Sequence, residues 1–164
     1  MFLYPKLYLN NAREITIEIL KKHQLKGLIL DVDNTLIDYE KHMPEGTKEW
    51  IANLKDQNIK LCILSNSNHK EKVETVAKTL KIPYIYFAKK PLKNGFKKAK
   101  ELLKLESQQI GVVGDQILTD IIGANRSKMF PILVKPINEK DIFITKIKRP
   151  IEELIIKRYQ KKTK

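Results

Sequence analysis

Two aspartates one residue apart close an apolar run in 28-LILDVDNTLIDYE-40, and further polar groups recur at the ends of later apolar runs. Asp31 and Asp33 precede Asn34 and Thr35, and Ser65 and Asn66 end 59-IKLCILSN-66. Lys89 and Lys90 follow 84-YIYFA-88, and Asp115 follows 110-IGVVG-114 with Asp120 shortly after. Carboxylates held close together repel, so keeping both ionised takes a cation or a proton between them. A hard divalent cation suits oxygen donors, and Mg²⁺ takes one or two carboxylates alongside water and phosphate oxygens. Asp31 and Asp115 would supply such a pair. A lysine at 89 or 90 would offset phosphate charge, and the Ser65 hydroxyl with nearby main-chain N–H groups would meet an oxyanion. Each piece also has a plainer use. Asp33-Asn34 can form a polar turn, Ser65, Ser67 or Asn68 can cap a helix, and Asp120 can sit favourably at a helix start.

The elements that must position these groups follow from the hydrophobic pattern. Near-continuous apolar runs at 27–32, 59–65, 84–88, 110–115 and 131–135 read as strands covered on both faces. Helical patterns lie between them, near 46–57, 69–81, 92–104 and 117–126; Trp50, Ile51 and Leu54 share one face of the first. A helix over 11–22 is expected before the first strand, with Asn11 and Glu14 in a capping-box arrangement. A last helix is expected over about 147–160, with Ile151, Leu154, Ile155 and Tyr159 as its inward stripe and Pro150 either in its first turn or bending it. Such alternation predicts an α/β fold with a parallel sheet, right-handed crossovers and helices on both faces. Ligands bind beyond the carboxyl ends of the strands in such sheets, and that is where all four polar segments fall.

Length and composition bound the rest. At 164 residues the chain fits a single domain, 1–164, with a core over about 25–135. The lone Cys62, inside an apolar run, excludes an internal disulfide, reads as a buried spectator thiol and fits a reducing cytoplasm. No apolar stretch is long enough to span a bilayer, and the N-terminal MFLYPKLYL has neither a basic leader nor a cleavage signature. The net charge of +13 favours polyanions: nucleic acid, anionic headgroups or phosphorylated substrates. Nucleic acid is disfavoured because no aromatic-rich basic strand is present for base stacking.

Taken together, D31-V-D33-N-T35, S65-N66, K90-P91 and G114-D115-(x4)-D120 resemble the haloacid dehalogenase (HAD) phosphohydrolase superfamily, and the whole chain resembles its YqeG-type, subfamily IIIA branch. That branch is related to the mitochondrial phosphatidylglycerophosphate phosphatase. The resemblance implies a Rossmann-like core with a five-stranded parallel sheet in the order 3-2-1-4-5. It implies Asp31 as nucleophile, Asp33 as acid and base, Ser65 and Lys90 on the phosphoryl group, and Thr35 and Asn66 at the substrate. Mg²⁺ would be held by Asp31, Asp33 through its main-chain carbonyl, Asp115 and Asp120; Lys89 is the less favoured lysine. Only residues 36–45 separate the first motif from the next helix, too few for a cap domain, so an open site is expected, with Tyr39, His42 and Met43 on a small flap. An open site and basic termini suit a phospholipid such as phosphatidylglycerophosphate, with MFLYPKLYL inserting shallowly and the tail meeting anionic headgroups of a membrane touched peripherally from the cytoplasm; the other reading is that both termini pack on the sheet. The alternatives are a soluble phosphatase acting on a phosphoprotein, nucleotide or sugar phosphate, and a nucleic-acid or ribosome-associated module. A receiver-type phospho-switch is disfavoured by Asp33.

Overall fold

In the computed structural model, which describes residues 2–138 and 145–163 (145–149 by their backbone alone), the apolar runs become one parallel sheet. Its strands are β1 (Leu7–Leu9), β2 (Gly27–Leu30), β3 (Lys60–Leu64), β4 (Tyr84–Ile85), β5 (Ile110–Gly114) and β6 (Phe130–Val134). They lie in the order β1-β6-β5-β2-β3-β4, every pair parallel. The expected five strands and their order are all present. The sheet has a sixth member because Leu7–Leu9 pairs with Ile132–Val134. Of the two readings of MFLYPKLYL, the residues from Leu7 onward follow packing on the sheet: they are an edge strand, and Leu7 and Leu9 pack on the core.

The connecting helices are α1 (Ile17–Lys22), α2 (Thr47–Asp56), α3 (Lys70–Leu80), α4 (Lys93–Leu103), α5 (Ile122–Arg126) and α6 (Thr145–Lys162). On one face of the sheet Trp50, Ile51 and Leu54 of α2 and Val73, Val76 and Leu80 of α3 pack on Leu28, Leu30, Leu61 and Ile63. The alternate residues of the central strands turn the other way, so Ile29, Cys62 and Val112 meet Phe96 and Ala99 of α4 and Ala124 of α5. Helices α4 and α5 approach closely because Gly123 has no side chain; a Cβ there would run into the Phe96 ring.

The N-terminal helix differs from expectation. Residues 12–14 form a single 3-10 turn and the α-helix begins only at Ile17. Thr16 is the cap that wins, its Oγ accepting from the N–H of Ile19 at 3.2 Å. The box partner of Glu14 is Asn10, whose main-chain and side-chain N–H groups both donate to the Glu14 carboxylate, while Asn11 makes no cap bond. The stripe of α6 is also shifted. Ile155 and Ile156 pack toward Leu133, and Tyr159 meets the Tyr4 ring at 6.0 Å. Glu152, one turn before, is buried, so the inward row is 152, 155, 156 and 159, and Ile151 and Leu154 are exposed. Pro150 sits inside the helix, beyond its first turn.

Cys62 is fully buried, and burial pushes its thiol up to about 12. At mildly alkaline pH the thiol is therefore neutral and shielded. The expected outcome is no labelling of the native protein by a disulfide-exchange reagent and one thiol per chain after unfolding in urea. Fast native labelling would show that β3 opens to solvent.

Candidate active site

Asp31 follows β2 directly, and its N–H donates to the carbonyl of Val113 on β5 at 3.0 Å, which extends the sheet by one bond and fixes where the aspartate leaves it. Beyond it the chain folds into a tight turn: the N–H groups of Thr35, Leu36 and Ile37 all reach the carbonyl of Val32. Asn34 adopts a left-handed φ of 59°, which asparagine tolerates better than most residues. The side-chain oxygen of Asn34 accepts from Asn138, tying this turn to the segment after β6. The short flap is closed by Asp38, whose Oδ1 accepts from the N–H groups of Glu40 and His42. Met43 packs on the core, and Tyr39 stays exposed. No cap domain interrupts this connection.

The lysine arrives by a different route. The strand expected over 84–88 stops at Ile85, since Phe87 takes a left-handed φ of 50° and the N–H groups of Phe87 and Ala88 turn back to the carbonyls of Ser67 and Ser65. This folds the chain across the end of β3. There the Asn66 amide grips the main chain of Lys90 from both sides: its oxygen accepts from the Lys90 N–H at 2.6 Å, and its nitrogen donates to the Lys90 carbonyl at 3.0 Å. The Lys90–Pro91 peptide bond is cis. The buried Nζ of Lys90 then lies 3.0 Å from Asp31 Oδ1 and 2.6 Å from Asp120 Oδ1. Lys89, the less favoured lysine, is exposed, with its ammonium over the Phe87 ring.

Asp120 reaches that position from a π-helical turn, Ile117–Ile121, in which the N–H of Ile121 bonds back to the carbonyl of Gln116. Such turns recur at functional sites because they redirect one side chain. The second oxygen of Asp120 accepts from the Gln116 N–H at 3.2 Å. Gly114 leaves the space that the Asp120 carboxylate fills, and a Cβ at 114 would overlap it. Asp115 is buried beside them, its Oδ1 accepting from Thr35 Oγ at 3.4 Å.

Asp31, Asp115 and Asp120 each place an oxygen within 4.8 Å of the others. Burial raises Asp115 well above the ordinary carboxylate range, and the charges of Asp31 and Asp120 push it the same way. Asp120 is raised to about 7, chiefly by burial, with Lys90 pulling it back. Burial alone would lower the Lys90 ammonium, but Asp120 and Asp31 outweigh it and keep it protonated. Ionising all three carboxylates against one ammonium would put an excess of negative charge in a poorly hydrated place, so Asp115 and Asp120 hold their protons more tightly unless a cation joins them. The donor set is all oxygen, which is the chemistry that a hard divalent cation satisfies.

The remaining expected residues occupy less central places. Thr35 is buried under Asp115, and the fully buried Ser65 accepts the Ser67 N–H at 3.1 Å. Asn66, expected at the substrate, has both ends of its amide on the Lys90 main chain. The Asp33 carboxylate is half-exposed and lies outside the carboxylate group, held by Lys72 Nζ at 2.8 and 3.0 Å. Lys72 and the clamping role of Asn66 are the two features that the sequence reading missed.

Replacing Lys90 by Met should destabilise the fold by roughly 3–5 kcal/mol, since it leaves buried carboxylates without their counter-charge. Adding Asp120→Asn to that variant should recover part of the loss. Urea titrations without divalent cation measure both, and a second substitution that only adds to the damage would contradict this account of the ion pairs.

Residues 1–137 match the family model described as mitochondrial PGP phosphatase. The chain is 37% identical over 164 residues to the probable phosphatase YqeG of Bacillus subtilis, covering 98% of this chain and 94% of that one. It is 27% identical over 171 residues to the chloroplastic/mitochondrial phosphatidylglycerophosphate phosphatase 1 of Arabidopsis thaliana, where 98% of this chain spans 49% of the relative. Among solved structures, an uncharacterized protein of Listeria monocytogenes superposes with a TM-score of 0.58 at 20% identity, over 72% of this chain and 85% of that one. The cobalt-bound deoxy-D-mannose-octulosonate 8-phosphate phosphatase of Haemophilus influenzae superposes with a TM-score of 0.56 at 15% identity, over 85% and 92%. These structures speak to the fold, and the sequence relatives to the family. The chain belongs to the mitochondrial PGP phosphatase family and is a phosphatase of the HAD type.

Proposed function

We propose that this protein is a Mg²⁺-dependent phosphomonoester hydrolase that works through an aspartyl-phosphate on Asp31, with phosphatidylglycerophosphate as its substrate. The observation that carries the reading is Lys90, buried between Asp31 and Asp120 with Asp115 within reach, at the carboxyl edge of a parallel sheet. A carboxylate oxygen of Asp31 attacks phosphorus, the ester P–O bond breaks, and Asp33 gives the leaving alkoxide its proton. Asp33 then takes a proton from water as that water attacks the phosphorus of the acyl phosphate, releasing inorganic phosphate and restoring Asp31. Lys90 offsets charge on the phosphoryl oxygens, and Asn66 keeps that lysine in place through its main chain. The Ser65 hydroxyl, whose oxygen accepts from the Ser67 N–H, keeps its own proton to donate to the same oxygens. Bound Mg²⁺, held by Asp31, Asp115, Asp120 and the Asp33 main-chain carbonyl, would supply the remaining positive charge.

The substrate follows from two supports. The family model and the Arabidopsis relative carry the phosphatidylglycerophosphate name. The site has no cap to enclose a small metabolite, so a phosphate standing out of a bilayer can reach it. The net charge of +13 favours the anionic cytoplasmic face of a membrane, and no helix among the described residues is long and apolar enough to cross one.

Phosphate release should be measured on phosphatidylglycerophosphate in mixed micelles beside a nucleotide, a sugar phosphate and a phosphopeptide. Asp31→Asn should lower release by at least about a thousandfold, as loss of a covalent nucleophile does. Equal release by wild type and Asp31→Asn would sink the mechanism, and a stronger response to a soluble ester than to the lipid would sink the substrate. Chelation of divalent cations should abolish turnover, with Mg²⁺ restoring it; turnover that survives chelation would exclude the metal requirement.

A further inference from the structure

The Asp33 carboxylate is held by Lys72, which also lines a cleft at the start of α3. Lys41 of the flap and Asn68, His69, Lys70, Glu71 and Lys72 at the start of α3 line this space of about 560 Å³. Lys72 joins cleft and site, since its Nζ holds both oxygens of Asp33. No carboxylate among the described residues lies within ion-pair distance of Lys41 or Lys70. The positive charge therefore exceeds what Asp33 and Glu71 offset. The first-turn N–H groups of the eleven-residue α3 point the same way and favour an anion there.

We infer that this cleft is an anion subsite for the leaving group. Asp33 protonates the departing oxygen, so whatever that oxygen carries lies on the side of Asp33, against Lys41, Lys70 and Lys72. A neutral alcohol would leave the Lys41 and Lys70 ammonium groups without a counter-charge. An alcohol bearing a second anionic group, such as a phosphodiester or a second phosphomonoester, places that group among them. The inference rests on the phosphatase reading above and adds to it where the second charge is bound. The shared chemistry is a second phosphate a few bonds from the reacting one, carried either by a lipid or by a soluble bisphosphate.

Calorimetric binding to Asp31→Asn with Mg²⁺ present tests this without needing turnover. The probes are glycerol 3-phosphate, glycerol 1,3-bisphosphate and a short-chain phosphatidylglycerophosphate below its micelle concentration. Both doubly phosphorylated probes should bind about tenfold tighter than glycerol 3-phosphate, as two partly exposed charge contacts allow. In the added background Lys41→Ala with Lys70→Ala, that preference should fall to about twofold or less. A preference retained in full by the double variant overturns the inference, as does equal binding of all three probes by the parent. Preference for the lipid alone also overturns it, in favour of acyl-chain recognition. The same ratios in kcat/KM for the Asp31 protein report on catalysis separately: no phosphate release from any probe would refute the phosphatase reading, while the binding ratios would still decide the subsite.

Discussion

A buried ammonium between buried carboxylates is the constraint around which this protein is organised. Lys90 can stay charged inside the fold only because Asp31 and Asp120 are within bonding distance, and those carboxylates can be buried only because Lys90 is there. The groups come from three strand ends. The sheet must be parallel for those ends to meet, and β2, β3 and β5 must be neighbours. The early end of β4, the left-handed Phe87 and the Asn66 clamp all serve to carry one lysine over the edge of β3. Since the lysine cancels less charge than the carboxylates bring, the centre is built with room for a further cation.

The sheet and most of the site could be read from residue order, for a physical reason. Central parallel strands are covered on both faces, so they announce themselves as unbroken apolar runs, and in such a sheet function collects where each run ends. The misses have separate causes. Leu7–Leu9 is an edge strand three residues long, too short to show a period, and its apolar character suits a membrane as well as a sheet. Residues 12–22 carry several caps close together, and local hydrogen bonds rather than periodicity decided among Asn10, Asn11 and Thr16. In α6 the buried Glu152, whose carboxylate accepts the Leu118 N–H, occupies a row position that a hydrophobic stripe would not include. Lys72 was hidden by abundance: in a chain with 32 lysines and arginines, one more cation at a helix start has no distinguishing mark until its partner is seen.

Specificity in an uncapped phosphatase has to come from the rim. In the proposed function the reacting phosphate meets groups locked in the core and the alcohol meets flap and helix start, where Tyr39, Lys41 and His69 are exposed. The division separates what must be rigid from what can adapt. The ends of β2, β3 and β5 hold the charged groups in place, and in the same proposal the 38–43 and 68–72 segments select the alcohol.

Gly114 shows how far that rigidity reaches. It carries no charge, yet the space left by its missing side chain is where the Asp120 carboxylate rests. Any larger residue at 114 displaces an anion from Lys90, so a change in volume at this position becomes a change in local potential. In inheritance the two positions are therefore one character: Asp120 cannot keep its role in a descendant whose residue 114 has acquired a Cβ.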